Sequence, residues 1–148
     1  MARPKAPHAL LGSPDDIEGQ LYEALQRGDI DKLMALWSDD DEIACVHPGG
    51  PRLIGAAAIR ASFEAIFANG AINAVPERVR RVATHSCAVH SVLERVEVMS
   101  ADGPQAAWVI ATNVYVKGAQ GWRLVAHHAS PGTPQDAQEI VESVSVLH

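Results

Sequence analysis

The segment AAAIRASFEAIFANG, residues 56–70, divides the chain into a helical part and a β-strand part. Four large apolar residues recur in it at helical spacing, namely Ile59, Phe63, Ile66 and Phe67. The alanines favour a helix, and Asn69-Gly70 marks its end. Beyond Gly70 the helical period disappears and apolar residues alternate with polar ones, which is typical of β-strands. The change of period predicts helices first and strands afterwards.

Two shorter helical patterns precede this segment. Ser13-Pro14 is a typical helix start, with serine as the cap and proline in the first turn. Three apolar residues then repeat every four positions: Ile17, Leu21 and Leu25. A second helix is predicted over residues 29–37, so a helical hairpin is expected before the third helix.

The strand patterns are two short ones and three or four long ones. The short ones cover residues 43–47 and 52–54, on either side of a Pro-Gly-Gly-Pro turn. The long ones fall near residues 76–86, 88–99, 105–117 and 121–130. Helices followed by consecutive strands predict an α+β domain, in which a curved antiparallel sheet wraps around three N-terminal helices.

Length and composition limit the class of protein. The 148 residues suffice for one core, so we expect one domain at residues 13–132, between a flexible segment 1–12 and a tail 133–148 with a helical pattern. A formal net charge of −6 argues against nucleic acid or an anionic membrane as partner. Without a long apolar run, a signal-peptide pattern or a disulfide framework, the chain is expected to be cytoplasmic.

Three stretches resemble a known superfamily when they are taken in order. They are YEALQRGDIDKLMALWSDD, RLIGAAAIRASFEAIF and KGAQGWRLVAHHASPG. Together they resemble the nuclear transport factor 2-like superfamily, in its SnoaL-like branch and in the association domain of calcium/calmodulin-dependent kinase, over residues 15–132. The resemblance implies a cystatin-like roll shaped as a cone, with a pocket between the concave sheet face and the helices. It also implies pairing of two copies through the convex face.

Ketosteroid isomerase, from the same superfamily, combines an aspartate base with a tyrosine and a protonated aspartate. The resemblance places His47 within two residues of the position of the base, and Thr112 at the position of the protonated aspartate. Tyr22 lies one residue from the position of the tyrosine. The steroid isomerase apparatus is therefore incomplete here. His47 remains as the candidate catalytic base, and Thr112 as a candidate hydrogen-bond donor.

The adjacent histidines His127 and His128 are expected to point in opposite directions, since side chains alternate along a strand. The resemblance assigns His128 and Ser130 to the pocket, and His127 then belongs to the other face. A structural hydrogen bond at the end of the strand is the alternative role for His128. Trp37 and Phe63 are expected to form both core and pocket wall.

Motifs for metal binding or covalent catalysis are missing from the sequence. No H-x-x-x-H or H-E-x-x-H pair occurs, and there is no G-x-S-x-G. We therefore predict neither a metal nor a cofactor. The cluster Arg78, Arg80 and Arg81 could hold a carboxylate if one arginine pointed inward, and a solvated strand face is the alternative.

Two functions stay open at this point. One is a cofactor-free isomerase, dehydratase or cyclase acting on a largely apolar molecule, with His47 as base and Thr112 or Ser130 as donor. The other is a non-catalytic module that binds a small acid or a partner's tail, or that assembles as a dimer. An acidic residue beside a pocket histidine favours chemistry, and a purely apolar cavity favours binding.

A homodimer is expected in either case. The long strands carry large apolar residues on both faces, among them Val89, Val92, Val96, Trp108 and Val114. A sheet with only one buried face shows polar residues on its other side. The convex face is therefore the predicted contact between two copies.

Overall fold

The computed structural model describes residues 12–132 and 140–141. The described part includes only Gly12 of the predicted N-terminal segment. It includes only two residues of the predicted helical tail. Within residues 12–132 the order of elements agrees with the sequence patterns. The predicted α+β class is confirmed.

Three helices form one side of the molecule: α1 (Pro14–Arg27), α2 (Ile30–Ala35) and α3 (Ala56–Phe67). α1 begins with a capping box, in which the Ser13 hydroxyl accepts from the Asp16 amide while the Asp16 carboxylate accepts from the Ser13 amide. It ends at Gly28, whose φ of 63° is left-handed. α2 ends earlier than the apolar pattern indicates, because Trp37 pairs with Leu124 in an isolated bridge.

The sheet has six strands: β1 (Ala44–Val46), β2 (Arg52–Ile54), β3 (Ala74–Ala83), β4 (Cys87–Ser100), β5 (Gly103–Gly118) and β6 (Gly121–Gly132). Their order across the sheet is β2-β1-β6-β5-β4-β3. Every neighbouring pair is antiparallel except β1 and β6, which are parallel. The predicted antiparallel sheet thus includes one parallel pairing at its β1–β6 junction.

The core lies between the concave face of the sheet and the helices. Its largest fully buried side chains include Ile17 and Leu33 from the helices and Tyr115 and Leu124 from the sheet. Burying a side chain of this size stabilises the fold by roughly 1.5–3 kcal/mol. The convex face has no described helix over it, and Ile110 on that face is 37% exposed.

A β-bulge in β6 decides which side chains reach the concave face. Val114 pairs with Ala126 and Tyr115 pairs with Leu124, so Val125 is an extra residue without a partner in β5. One extra residue reverses the alternation beyond it. His127 and Ala129 therefore follow Leu124 onto the concave side, whereas His128 is exposed.

No helix in the described residues is long and apolar enough to cross a membrane.

Candidate functional site

A cavity of about 160 Å³ lies between the concave sheet face and the helices. Most of its wall is apolar, and the lining residues include Leu21, Leu25, Trp37, Phe63, Ile72, Val96, Val109, Leu124 and Ala129. Three titratable side chains share this wall: His47, Glu94 and His127. The cavity is thus a small apolar chamber with a few polar groups, which is the usual composition of a small-molecule site.

Glu94 is the acidic group of the cavity. It occupies an inward position of β4 between Val92 and Val96, and the residue is only 6% exposed. Its Oε2 atom accepts a 2.6 Å hydrogen bond from the Tyr22 hydroxyl. Burial raises the pKa of Glu94 to about 6; the Tyr22 hydrogen bond opposes this rise, and the Glu18 charge adds to it. No donor among residues 12–132 contacts Oε1, so a ligand can.

A buried polar network stands behind Glu94. Glu18 Oε2 accepts hydrogen bonds from His90 Nδ1 at 2.9 Å and from the Tyr115 hydroxyl at 2.7 Å. The Asn113 amide donates to the same oxygen at 3.2 Å and to the Tyr22 hydroxyl at 3.4 Å. Buried polar groups of this kind are stable only when they are hydrogen-bonded to one another. The network therefore fixes the side chains that reach the cavity.

His127 is held in one tautomer by this network. Because the Asn113 amide nitrogen donates to Glu18, its oxygen faces His127 and accepts from Nδ1 at 2.5 Å. The Nε2 atom is then an acceptor that a ligand can reach. Burial is the main cause that lowers the pKa of His127 to about 4, and the charges of His47 and His128 contribute to the same shift. His127 is thus a neutral base at physiological pH.

His47 lies just after β1 and is half-buried. Its Nε2 atom is 3.0 Å from the Ser62 hydroxyl, which itself donates to the Ile59 carbonyl at 2.7 Å. His47 Nε2 is therefore the donor of that pair, and Nδ1 keeps its lone pair. The ring stands edge-on to Phe63, with centroids 4.8 Å apart. Burial lowers the pKa of His47, which favours the neutral ring.

Trp37 and Phe63 are both buried and both line the cavity. The indole Nε1 of Trp37 is enclosed and has no hydrogen-bond partner in the described part of the chain. A buried donor without a partner costs roughly 1–3 kcal/mol. Of the described lining residues, Trp37 supplies the one N–H that is not already used.

The predicted positions of Thr112, His128 and Ser130 are wrong. All three are exposed on the convex face, where Thr112 pairs with His128 and Ile110 pairs with Ser130. The bulge at Val125 reversed the alternation from which His128 and Ser130 were placed. The side chain of Thr112 points outward from β5, and the side chain of its neighbour Asn113 points inward.

A metal site and an inward arginine are not supported either. Within residues 12–132 no group of three His, Cys, Asp or Glu side chains is arranged to hold a metal ion. Arg81 bonds to Asp15 at 2.7 Å in an exposed pair, and no arginine of the described chain lines the cavity. The cavity therefore offers no fixed positive charge to a small acid.

Glu94, Asn113 and His127 were not predicted as site residues from the sequence. The pattern that could have found Glu94 is VLERVEV, because a carboxylate there shares a strand face with Val92 and Val96. Asn113 likewise sits between Ala111 and Tyr115 on the buried face of β5. A polar residue at an inward strand position is expected to have a partner, and so marks a polar cluster.

Comparison with known proteins identifies the family. A family profile described as a SnoaL-like domain matches residues 16–134. The chain belongs to the SnoaL-like family. This confirms the resemblance to the nuclear transport factor 2-like superfamily. No functionally curated protein matches the sequence.

Solved structures similar to this SnoaL-like domain carry different names. One from Thiobacillus denitrificans, named after the calcium/calmodulin-dependent protein kinase type II association domain, is 33% identical, with a TM-score of 0.75 over 84% of this chain and 98% of that one. Another from Streptomyces avermitilis, named as a dehydratase, is 31% identical, with a TM-score of 0.70 over 79% and 91%. A third, from Pseudomonas putida, is 17% identical with a TM-score of 0.71 over 93% and 96%, and supports the fold alone.

Proposed function

We propose that this SnoaL-like domain binds a small, largely apolar molecule in its cavity and removes water from it without a cofactor. The observation that carries the proposal is the Glu94 carboxyl on an otherwise apolar wall, with Oε1 free of any donor in residues 12–132. The similarity to a structure named as a dehydratase agrees with this reaction class. Fold alone does not fix function, so the site carries the argument.

Glu94 and His127 suit the two halves of such an elimination. The neutral His127 Nε2 takes a proton from a carbon next to a carbonyl, and the C–H electrons form the C=C bond. The C–O bond breaks as protonated Glu94 gives its proton to the leaving hydroxyl, which departs as water. The proton on His127 then returns to Glu94 through solvent, so no external reactant is consumed. Two groups with well-separated pKa values on one cavity are typical of acid–base pairs.

His47 takes a supporting role in this proposal. Its ring packs against Phe63, and its Nδ1 lone pair can accept from a ligand hydroxyl. The sequence predicted His47 as the base and Thr112 or Ser130 as the hydrogen-bond donor. Those two residues lie on the convex face, so they are not donors to the cavity. Glu94 places an acidic residue on the same cavity wall as His47 and His127, and this supports chemistry over passive binding.

Turnover of a small hydroxyketone tests the proposal. With 3-hydroxycyclohexanone as probe, the absorbance of the enone product should rise faster with protein than with buffer. Glu94→Gln and His127→Gln should each slow the rate by roughly 10²–10⁴-fold, the usual contribution of a positioned acid or base. The rate should be highest between pH 4 and pH 6, where Glu94 is protonated and His127 is neutral.

Thr112→Val is the matched control, because Thr112 is polar and exposed on the opposite face. It should leave the rate unchanged. A wild-type rate no faster than that of Glu94→Gln would remove the dehydratase proposal. A rate that depended on Thr112 and not on Glu94 would move the site to the convex face.

The same family relationship supports a homodimer through the convex face. Leu93 pairs with Ile110 there, and Val89 pairs with Val114, so apolar side chains lie on both sides of the polar pair Ser91–Thr112 across two strands. Trp108 on the same face is half-buried. Apolar patches of this kind on a sheet without a covering layer commonly mark contacts between subunits.

A further inference from the structure

Apart from the enclosed indole N–H of Trp37, the polar groups that the cavity offers to a ligand accept hydrogen bonds at neutral pH. Glu94 Oε1 is a carboxylate oxygen, and His127 Nε2 keeps its lone pair because Nδ1 donates to Asn113. His47 Nδ1 keeps its lone pair because Nε2 donates to Ser62. A bound molecule must therefore bring a donor of its own.

The charge of the cavity wall disfavours anions. Glu94 carries the negative charge, and no lysine or arginine of the described chain lines the cavity. Both lining histidines are held neutral by burial, which lowers the pKa of each. A carboxylate or phosphate ligand would meet like charge and unfilled acceptors, with no cation to balance it.

Cations are also disfavoured, because taking a charged group out of water into an apolar cavity can cost more free energy than its attraction to Glu94 recovers. An ammonium group brings several N–H donors, and all of them must be satisfied once water is removed. The side chains of the eleven apolar lining residues carry no hydrogen-bond acceptor for these N–H groups. A hydroxyl group has one proton to donate and leaves the rest of the molecule free to contact the apolar wall.

The size of the cavity limits the rest of the ligand. Its volume is about 160 Å³. A dry, apolar cavity of about 150 Å³ in another protein holds one benzene molecule. A single six-membered ring therefore fills this volume, and a fused second ring would extend beyond it.

We infer that the ligand is a neutral, single-ring compound with a hydroxyl group, held by donation of that hydroxyl to Glu94 while the ring contacts the apolar wall. This inference rests on the proposed cavity function and narrows its substrate class. It excludes small acids and fused-ring molecules, which the fold alone would allow.

Ligand-observed NMR titrations at pH 7.5 test the inference with five probes of known chemistry: phenol, toluene, benzoate, benzylamine and 2-naphthol. Phenol should bind about tenfold more tightly than toluene, because one hydrogen bond to a charged acceptor contributes about that factor in affinity. Benzoate, benzylamine and 2-naphthol should bind more weakly than phenol. Because binding is measured rather than turnover, the result is separate from the dehydratase test.

Three variants assign the binding to the cavity and to Glu94. Ala129→Leu places a larger side chain into the cavity without changing a polar group, and should abolish phenol binding. Ser130→Ala is its matched control on the convex face, and should leave the affinity unchanged. Glu94→Leu should remove the advantage of phenol over toluene while toluene still binds.

Three results would overturn the inference. Tighter binding of benzoate or benzylamine than phenol would show that the charge argument is wrong, and equal binding of 2-naphthol would show that the size limit is wrong. In both cases the cavity would remain the ligand site. Phenol binding that survives Ala129→Leu would overturn the inference together with the proposed cavity function.

Discussion

At the residue scale, two buried carboxyl groups have different surroundings. Glu18 accepts from His90, Asn113 and Tyr115, whereas Glu94 accepts, among residues 12–132, from Tyr22 alone. The other titratable side chains that face this cluster are Tyr22 on α1, His47 just after β1, His90 on β4, Tyr115 on β5 and His127 on β6. Glu18 therefore acts on Glu94 through charge, and Tyr22 acts on it through a hydrogen bond.

Substitutions of Glu18 and Tyr22 should move the pKa of Glu94 in opposite directions. Glu18→Gln removes a nearby negative charge and should lower that pKa, by roughly one unit. Tyr22→Phe removes a donor to the carboxylate and should raise it by a similar amount. A ¹³C NMR titration of the glutamate carboxyl carbons measures both, with Glu94→Gln to assign the resonance. Shifts of the same sign in both variants would contradict the electrostatic account.

Only part of the site could be predicted from residues alone. Trp37, Phe63 and His47 lie on the cavity wall, as their apolar period and the short-strand pattern suggest. His128 and Ser130 were expected there as well, but one extra residue in β6 turns them outward. A bulge depends on the partner strand, which a single strand's alternation does not reveal. Glu94 was missed because its partner Tyr22 lies 72 residues away.

At the scale of elements, helix ends were predictable and strand pairing was not. The Ser13 cap and the Gly28 stop depend on neighbouring residues, so their sequence pattern is local. The parallel pairing of β1 with β6 joins residues about 80 positions apart, and no local pattern encodes it. The bridge between Trp37 and Leu124 is also a long-range pairing, and α2 ends before it.

The link between α1 and α2 depends on Gly28. Its φ of 63° is left-handed, a conformation that costs most residues about 1–2 kcal/mol. Gly28→Ala should therefore lower the free energy of unfolding by about 1 kcal/mol, measured by urea denaturation. Gly28→Asn should lower it less, since asparagine tolerates this conformation. Equal losses in both variants would argue against a backbone cause.

At the scale of the whole molecule, the buried Glu94 makes stability depend on pH. Its pKa in the folded protein is about 6, above the ordinary 4.5. The folded state therefore binds this proton more tightly than the unfolded state, and the stability gained in acid is lost as pH rises through 6. Burial of Glu94 therefore lowers stability at neutral pH. It also leaves a carboxyl group that can release and accept a proton.

Glu94→Gln should consequently gain stability relative to wild type as pH rises. The difference in unfolding free energy between variant and wild type should be about 2 kcal/mol more favourable to the variant at pH 8 than at pH 4. Urea denaturation at the two pH values measures it. A difference that is independent of pH would show that Glu94 titrates at its ordinary value.

The convex face should control the oligomeric state. Ile110 is 37% exposed there and pairs with Leu93. Ile110→Glu places a charge within an apolar interface, so light scattering should report a dimer for wild type and a monomer for the variant. Lys117→Glu, at an exposed position of the same strand, should remain dimeric. A monomeric wild type at micromolar concentration would remove the dimer proposal.

The most direct test of the account is a crystal structure of the protein with phenol. The account predicts the ring in the cavity between the helices and the concave face, with its hydroxyl oxygen within hydrogen-bond distance of the Glu94 carboxyl. Phenol bound on the convex face beside Thr112 and His128, or bound in the cavity with its hydroxyl away from Glu94, would contradict it.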